Sequence, residues 1–127
     1  MKYLHTMVRV KSINDSLDFY CNKLGLTEVN RYENEEGRFT LVFLAALGDE
    51  DAQVELTYNW DQEEPYDQGN GWGHLAIGVS DIYATCEQLE KEGVTITRPP
   101  GPMKHGTTVI ACIVDPDGYK IELIEEG

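Results

Sequence analysis

Basic residues are scarce in this chain. Its 127 residues include 10 Lys and Arg against 23 Asp and Glu, which gives a formal net charge of -13. Nucleic-acid binding needs a basic surface that neutralises phosphates, and basic segments also draw proteins to anionic membranes. The composition therefore argues against both partners and favours solubility.

Cysteine is also scarce, and long apolar runs are missing. Cys21, Cys86 and Cys112 are odd in number and far apart, so they predict neither a disulfide framework nor a CxxC metal motif. No signal peptide precedes Tyr3, and no apolar run approaches the roughly 18 residues of a membrane-spanning helix. We therefore expect reduced thiols and a cytoplasmic protein.

The hydrophobic content is sufficient for one globular domain. It is 41% of the chain, and a chain of this length commonly forms a single domain. We predict one α+β domain over residues 1–127, built from two βαβββ modules at about 1–60 and 73–127. Residues 61–72 are rich in acidic residues, Gly and Pro, which predicts a linker.

The two modules repeat one order of elements. Apolar residues recur at helical spacing after the first strand of each module. Asn14 or Asp15 can cap the first helix and Gly25 can end it, and Asp81 and Gly93 do the same for the second. The expected strands are 3–10, 28–33, 39–46 and 52–60, then 74–79, 94–98, 107–114 and 119–125, and residues 99–106, rich in Pro and Gly, are expected to form a loop.

One His and one Glu occupy matching places in the two modules. His5 and His74 lie on the first strands of the two modules, and Glu55 and Glu122 follow 50 and 48 residues later on the last strands. Alternate side chains of a strand share a face, and the pattern turns all four away from the helix-covered core. Pairing two such curved mixed sheets is expected to bring the four side chains together in a cleft.

Two imidazoles and two carboxylates suit borderline divalent metals such as nickel, cobalt, zinc, manganese and iron(II). No thiolate is among them, which disfavours a closed structural zinc site. Four protein ligands on a six-coordinate ion leave two positions for water or substrate, so the set predicts Lewis-acid catalysis. His105 has no partner in the repeat and is expected to be exposed or part of a pocket loop.

Several runs of the chain resemble those of a known family. They are residues 5–10, 16–20, 24–25, 55–60, 73–74 and 115–122. Together they resemble glyoxalase I, of the vicinal oxygen chelate superfamily, from Met1 to Glu126. The resemblance implies a paired βαβββ fold. It also implies a lyase that isomerises the hemithioacetal of methylglyoxal and glutathione to S-D-lactoylglutathione.

The resemblance implies a role for each of the four matched residues. His5, Glu55, His74 and Glu122 would hold a divalent metal that stabilises a cis-enediolate. Glu122 would be the base that moves the proton, and Glu55 is its counterpart on the other face. The short chain lacks the insertions of zinc-dependent eukaryotic members and resembles the bacterial class, which prefers nickel or cobalt over zinc.

Binding of the co-substrate glutathione is implied at other positions. Arg9 and Asn59 would hold its carboxylate end, with Arg98 as a further contributor, and Arg suits carboxylates because it binds them bidentately. Many relatives are homodimers with the site at the interface, so a homodimer is expected here. Whether the four ligands come from one chain or two is left open.

Two other readings compete with this one. Another metal-dependent enzyme of the superfamily, such as an epimerase or a dioxygenase, would use a different ligand set. Dioxygenases use two His and one Glu, and epimerases usually have Gln where Glu55 stands. A metal-free binding module of the bleomycin-resistance kind would not require the four ligands at all.

Overall fold

The computed structural model describes all of residues 1–127, which divide into two compact units, Met1–Asp67 and Gln68–Gly127. The boundary lies inside the segment that the sequence predicts to be a linker. No helix is both long and apolar enough to cross a membrane. The first unit contains β1 (His5–Val10), α1 (Ile13–Leu17), a π-helix (Asp18–Lys23), β2 (Thr27–Asn34), β3 (Phe39–Ala45) and β4 (Gln53–Asn59).

The helical segment of the first unit begins two or three residues earlier than predicted. Ser12, and not Asn14 or Asp15, is its N-cap, because the Ser12 hydroxyl accepts a hydrogen bond from the Asp15 amide at 3.2 Å. The segment widens into a π-helix after Leu17. Gly25 follows its end with φ 80°, a conformation that favours glycine.

The second unit repeats this plan. Asp81 caps its helix as predicted, since its side chain accepts from the Ala84 amide, and Gly93 follows the helix with φ 86°. Its elements are β5 (Leu75–Val79), α2 (Ile82–Lys91), β6 (Ile96–Pro102), β7 (Val109–Val114) and β8 (Lys120–Glu125). The α+β fold with two βαβββ units is therefore confirmed.

The prediction of a loop over residues 99–106 is wrong in its first half. β6 extends through Pro99 and Pro100 to Pro102. It lies at the edge of its sheet, where prolines are tolerated because an outward N–H needs no partner strand. Register shifts on both sides of Arg98 show that the pairing with β7 is irregular.

Both sheets have the same topology and register. The strand orders are β1-β4-β3-β2 and β5-β8-β7-β6, and the first and last strands of each unit pair in parallel. Met7 lies opposite Glu55, and Ala76 lies opposite Glu122. In each unit, therefore, the Glu faces the residue two positions after the His.

Each unit buries its own apolar core against one side of its sheet. α2 packs against β6, β7 and β8, and Phe19 and Tyr20 of the π-helix are buried in the first unit. The core residues are Val8, Val10, Phe19, Tyr20, Val42, Leu44, Ala45, Val54 and Leu56 in the first unit, and Ile82, Cys86, Leu89, Val94, Ala111, Cys112, Ile113, Tyr119, Ile121 and Leu123 in the second.

Residues 61–74 contain no helix or strand, but they are not detached from the units. In the first unit, Asp61 pairs with Arg38, and the Tyr66 hydroxyl donates to the Asn59 side chain. In the second unit, the Gln68 amide donates to the main-chain carbonyl of Asp117. The segment thus adds side chains to both units.

Candidate metal and thiol site

The first unit holds a close His–Glu pair. His5 is the first residue of β1, and its Nε2 lies 3.0 Å from Oε1 of Glu55 on the neighbouring strand β4. The His5 ring contacts Phe43 edge to face, with centroids 5.3 Å apart. Thr57 donates a hydrogen bond of 2.5 Å from its hydroxyl to the other oxygen of Glu55. The carboxylate is therefore fixed from both sides.

The second unit holds the matching pair in a looser arrangement. His74 directly precedes β5, and its Nε2 lies 3.8 Å from Oε2 of Glu122. The Glu122 side chain is 21% exposed, against 11% for Glu55. No hydroxyl holds Glu122, because the position matching Thr57 is Ile124. The two carboxylates thus share a register but differ in how firmly they are held.

Each pair offers one imidazole nitrogen and carboxylate oxygens on one face of a sheet. No group of three or more His, Cys, Asp or Glu side chains is close enough to hold a metal ion. The donor chemistry of each pair fits half of a site for a borderline divalent metal. The assignment of His5, Glu55, His74 and Glu122 as ligands stays a prediction.

The cysteines stand outside this chemistry. All three are free, with Cys86 and Cys112 buried and Cys21 half-buried. Burial raises the pKa of the Cys86 thiol, and burial together with the nearby Glu28 carboxylate raises the pKa of Cys21. Because only the thiolate is a strong nucleophile or metal ligand, neither thiol is suited to those roles.

A donor-rich cleft of about 430 Å³ opens in the first unit. Arg9 donates from Nη1 to Oδ1 of Asn59 at 2.8 Å, and the Tyr66 hydroxyl donates to the same oxygen at 3.2 Å. The structure therefore brings together the two residues that the sequence predicts to bind the thiol conjugate. Sequence analysis missed Tyr66 because it lies in a segment with the composition of a linker.

A second cation of the cleft, Arg38, was also missed. Its Nε and Nη2 donate to both oxygens of Asp61 at 2.6 and 2.8 Å, and its guanidinium lies 5.6 Å from the centre of the Trp60 ring. The hydrogen bonds from Arg38 lower the pKa of Asp61 and raise that of Arg38 itself. Asp61 thus neutralises Arg38 within the cleft, and Arg9 is the other cation that lines it.

Arg98 lies in the second unit in a different setting. Its guanidinium donates to four main-chain carbonyls, those of Pro99, Gly101, Pro102 and Ile110, at 2.7 to 3.2 Å. It thus supports the irregular part of β6, and its contribution to thiol binding stays a prediction. His105 is exposed, with a positive φ of 69°, in the turn between β6 and β7.

Two βαβββ units, each presenting one His and one Glu in the same register, define a duplicated α+β fold. A family model described as the glyoxalase/bleomycin resistance protein/dioxygenase superfamily matches residues 2–123. The chain belongs to this superfamily.

Relatives of known name narrow the similarity further. The chain is 52% identical to a probable lactoylglutathione lyase of Synechocystis, over 98% of this chain and 95% of that protein. It is also 52% identical to the lactoylglutathione lyase of Neisseria meningitidis serogroup B, over 99% of this chain and 91% of that protein. The similarity therefore covers nearly the whole of both.

Solved structures show the same similarity in three dimensions. Glyoxalase I from Zea mays superposes with a TM-score of 0.92 and 38% identity over 99% of this chain, which spans only 45% of the maize chain. The trypanothione-dependent glyoxalase I of Leishmania major superposes with a TM-score of 0.83 and 35% identity, over 99% of this chain and 87% of that one. The predicted glyoxalase fold is therefore confirmed.

Proposed function

We propose that this protein is a glyoxalase I, a lactoylglutathione lyase. It isomerises the hemithioacetal of methylglyoxal and glutathione to S-D-lactoylglutathione and so detoxifies 2-oxoaldehydes. The observation that carries the proposal is the repeated His–Glu pair, set in one register in both units. The name shared by relatives about half identical along nearly the whole chain supports the same activity.

The proposed ligands of the metal are His5, Glu55, His74 and Glu122. When bound, the metal would act as a Lewis acid that stabilises negative charge developing on the substrate oxygens. A set of two nitrogen and two oxygen donors suits several borderline divalent metals, zinc among them. The preference for nickel or cobalt over zinc is proposed from the resemblance of this short chain to the bacterial class.

Glu122 is the proposed base. Its carboxylate would take a proton from one carbon of the hemithioacetal and return it to the neighbouring carbon, as general acid–base catalysis requires. Its greater exposure and its lack of a hydroxyl partner leave it freer to turn toward substrate. Glu55 is held by Thr57 and is the better-fixed ligand, with a secondary part in proton transfer on the other face.

The thiol conjugate is proposed to bind by its carboxylate in the cleft of the first unit. Arg9 supplies a cation there, and Asn59 supplies amide donors. Because the protein carries a large net negative charge, a local cation is needed for an anionic substrate to approach. Arg98 is proposed as a lesser contributor through the guanidinium N–H groups not engaged with carbonyls.

A homodimer in the cytoplasm is part of the proposal. β2 is exposed along almost its whole length, and Val29 and Tyr32 are among its exposed apolar residues, which favours a covering partner. Mixing inactive His5→Ala and His74→Ala proteins tests whether copies share sites. Recovered activity would show sharing, and no recovery would place each site in one chain. The cytoplasm suits the reaction because it keeps thiols reduced.

The test of the function is a thioester assay with methylglyoxal and glutathione on chelated and metal-reconstituted protein. We expect chelation to abolish the activity and nickel to restore it better than zinc. Equal recovery with zinc would overturn the metal preference. No thioester with any metal would overturn the activity and favour a binding module.

A further inference from the structure

The orientation of the Asn59 side-chain amide is fixed by its neighbours. Arg9 can only donate hydrogen bonds, so the atom 2.8 Å from its Nη1 must be the amide oxygen. The hydroxyl of Tyr66 donates to the same oxygen. Both hydrogen bonds of this side chain use Oδ1, which leaves the two N–H groups of Nδ2 for a ligand.

A reversed amide would remove this arrangement. It would turn Nδ2 toward the Arg9 guanidinium, so that two donors would face each other without an acceptor. Oδ1 would then face the incoming carboxylate and repel it. Tyr66 adds a second donor on the oxygen side and so narrows the range of angles that the amide can adopt.

We propose that Tyr66 is a positioning residue for the thiol conjugate, holding the Asn59 amide so that Nδ2 and the Arg9 guanidinium donate to one carboxylate. The inference rests on the proposed function, because that function supplies the carboxylate. It assigns a role in recognition to the segment after β4, which has no regular structure. From this segment the Tyr66 hydroxyl reaches the side chain of Asn59, the last residue of β4.

Kinetics of Tyr66→Phe test this role, because the substitution removes one hydroxyl and keeps the ring. We expect KM for the glutathione hemithioacetal to rise about fivefold, the loss of one neutral hydrogen bond. We expect kcat and metal content to stay unchanged. Tyr83→Phe is the matched control, since Tyr83 is exposed on α2 of the second unit, and its KM should equal that of the unchanged protein.

A double substitution separates positioning from a general structural effect. In an Asn59→Ala background, Tyr66→Phe should cause no further rise in KM, because the group through which it acts is gone. An equal rise in both backgrounds would overturn the proposal, as would a fall in kcat with an unchanged KM.

Binding of S-methylglutathione separates this inference from the proposed activity. Calorimetry on nickel-loaded proteins should give a Kd about fivefold higher for Tyr66→Phe than for the unchanged protein. That shift in a protein without lyase activity would support the positioning role and reject the activity. Full lyase activity with equal Kd and KM in both proteins would reject the positioning role and keep the activity.

Discussion

The two units share one backbone plan but surround their Glu side chains differently. In the first, Glu55 accepts a hydrogen bond from Thr57, two residues along the same face. In the second, the matching residue is Ile124, which has no donor. The two pairs thus share a register, while Thr57 in one unit and Ile124 in the other leave one carboxylate fixed and the other freer.

A second difference lies four residues after the His and four residues after the Glu of each pair. Arg9 and Asn59 stand there in the first unit and are joined by a hydrogen bond. Gly78 and Glu126 stand there in the second, and a Cβ added to Gly78 would lie 2.7 Å from the Glu126 carboxylate. At this position one unit therefore offers donors for an anion and the other offers an acid, so we expect this position to bind a carboxylate in the first unit alone.

The largest expected effect comes from exchanging the two Glu residues in turn for Gln. Glu122→Gln should lower kcat by about 10³-fold, because it removes the base, and should leave most of the metal bound. Glu55→Gln should mainly lower metal content, because it removes charge from the better-held ligand. Kinetics and metal analysis on both variants check this. Near-normal turnover of Glu122→Gln would remove it as the base.

Moving the hydroxyl from one unit to the other sharpens the comparison. Thr57→Val should weaken nickel binding about tenfold, since partners that orient a ligand carry effects of that size. Ile124→Thr should place a donor beside Glu122 and lower kcat without weakening the metal. Calorimetric titration with nickel, together with kinetics, checks both. Unchanged nickel affinity in Thr57→Val would mean that its hydrogen bond does not orient Glu55.

The edge strands of the two units differ in a way that stability measurements can resolve. Arg98 on β6 donates to four carbonyls, whereas Arg31 on β2 forms an exposed pair with Glu28. Arg98→Lys should lower the free energy of unfolding by about 1 kcal/mol, because a single ammonium cannot reach all four. Arg31→Lys should change it by less than about 0.5 kcal/mol. Urea unfolding measures both free energies. Equal losses in the two variants would show that Arg98 does not stabilise β6.

The smallest expected effect concerns pH and the exposed Arg38–Asp61 pair. The hydrogen bonds from Arg38 hold the pKa of Asp61 below its unfolded value. The pair's contribution to stability is therefore present above that unfolded value, roughly pH 4, and is lost as pH falls through the folded value. Carboxyl NMR titration should show the pKa of Asp61 rising in Arg38→Gln. An unchanged pKa would contradict the assigned cause.

Local patterns predicted much of the fold because strands and helices have fixed periods. Alternation assigned each Glu to the open face of its strand, and Asp81 was identified as a cap from its position before an apolar repeat. The strand through Pro99 was missed because proline and glycine have poor β-strand propensity. Pairing with β7 and the carbonyl bonds of Arg98 stabilise it, and neither is visible in a single segment.

Only the contacts of the site between residues close together on one strand could be predicted from the sequence. Glu55 and Thr57 are two residues apart on one strand, so alternation alone could have predicted their contact. The contact of Asn59 with Tyr66 depends on how an irregular segment folds back over β4. Such a segment lacks the regular side-chain directions of a helix or strand, so the positions of its side chains could not be predicted from the sequence.

The sequence by itself determined the duplicated α+β plan, the scarcity of basic residues and cysteines, and the matching positions of His5, His74, Glu55 and Glu122. These follow from composition and from backbone periods that each residue obeys locally. Only the tertiary structure decided which carboxylate is firmly held, how the Asn59 amide is turned and what Arg98 binds. Those depend on distances of a few ångströms between side chains, which the folding of the whole unit sets.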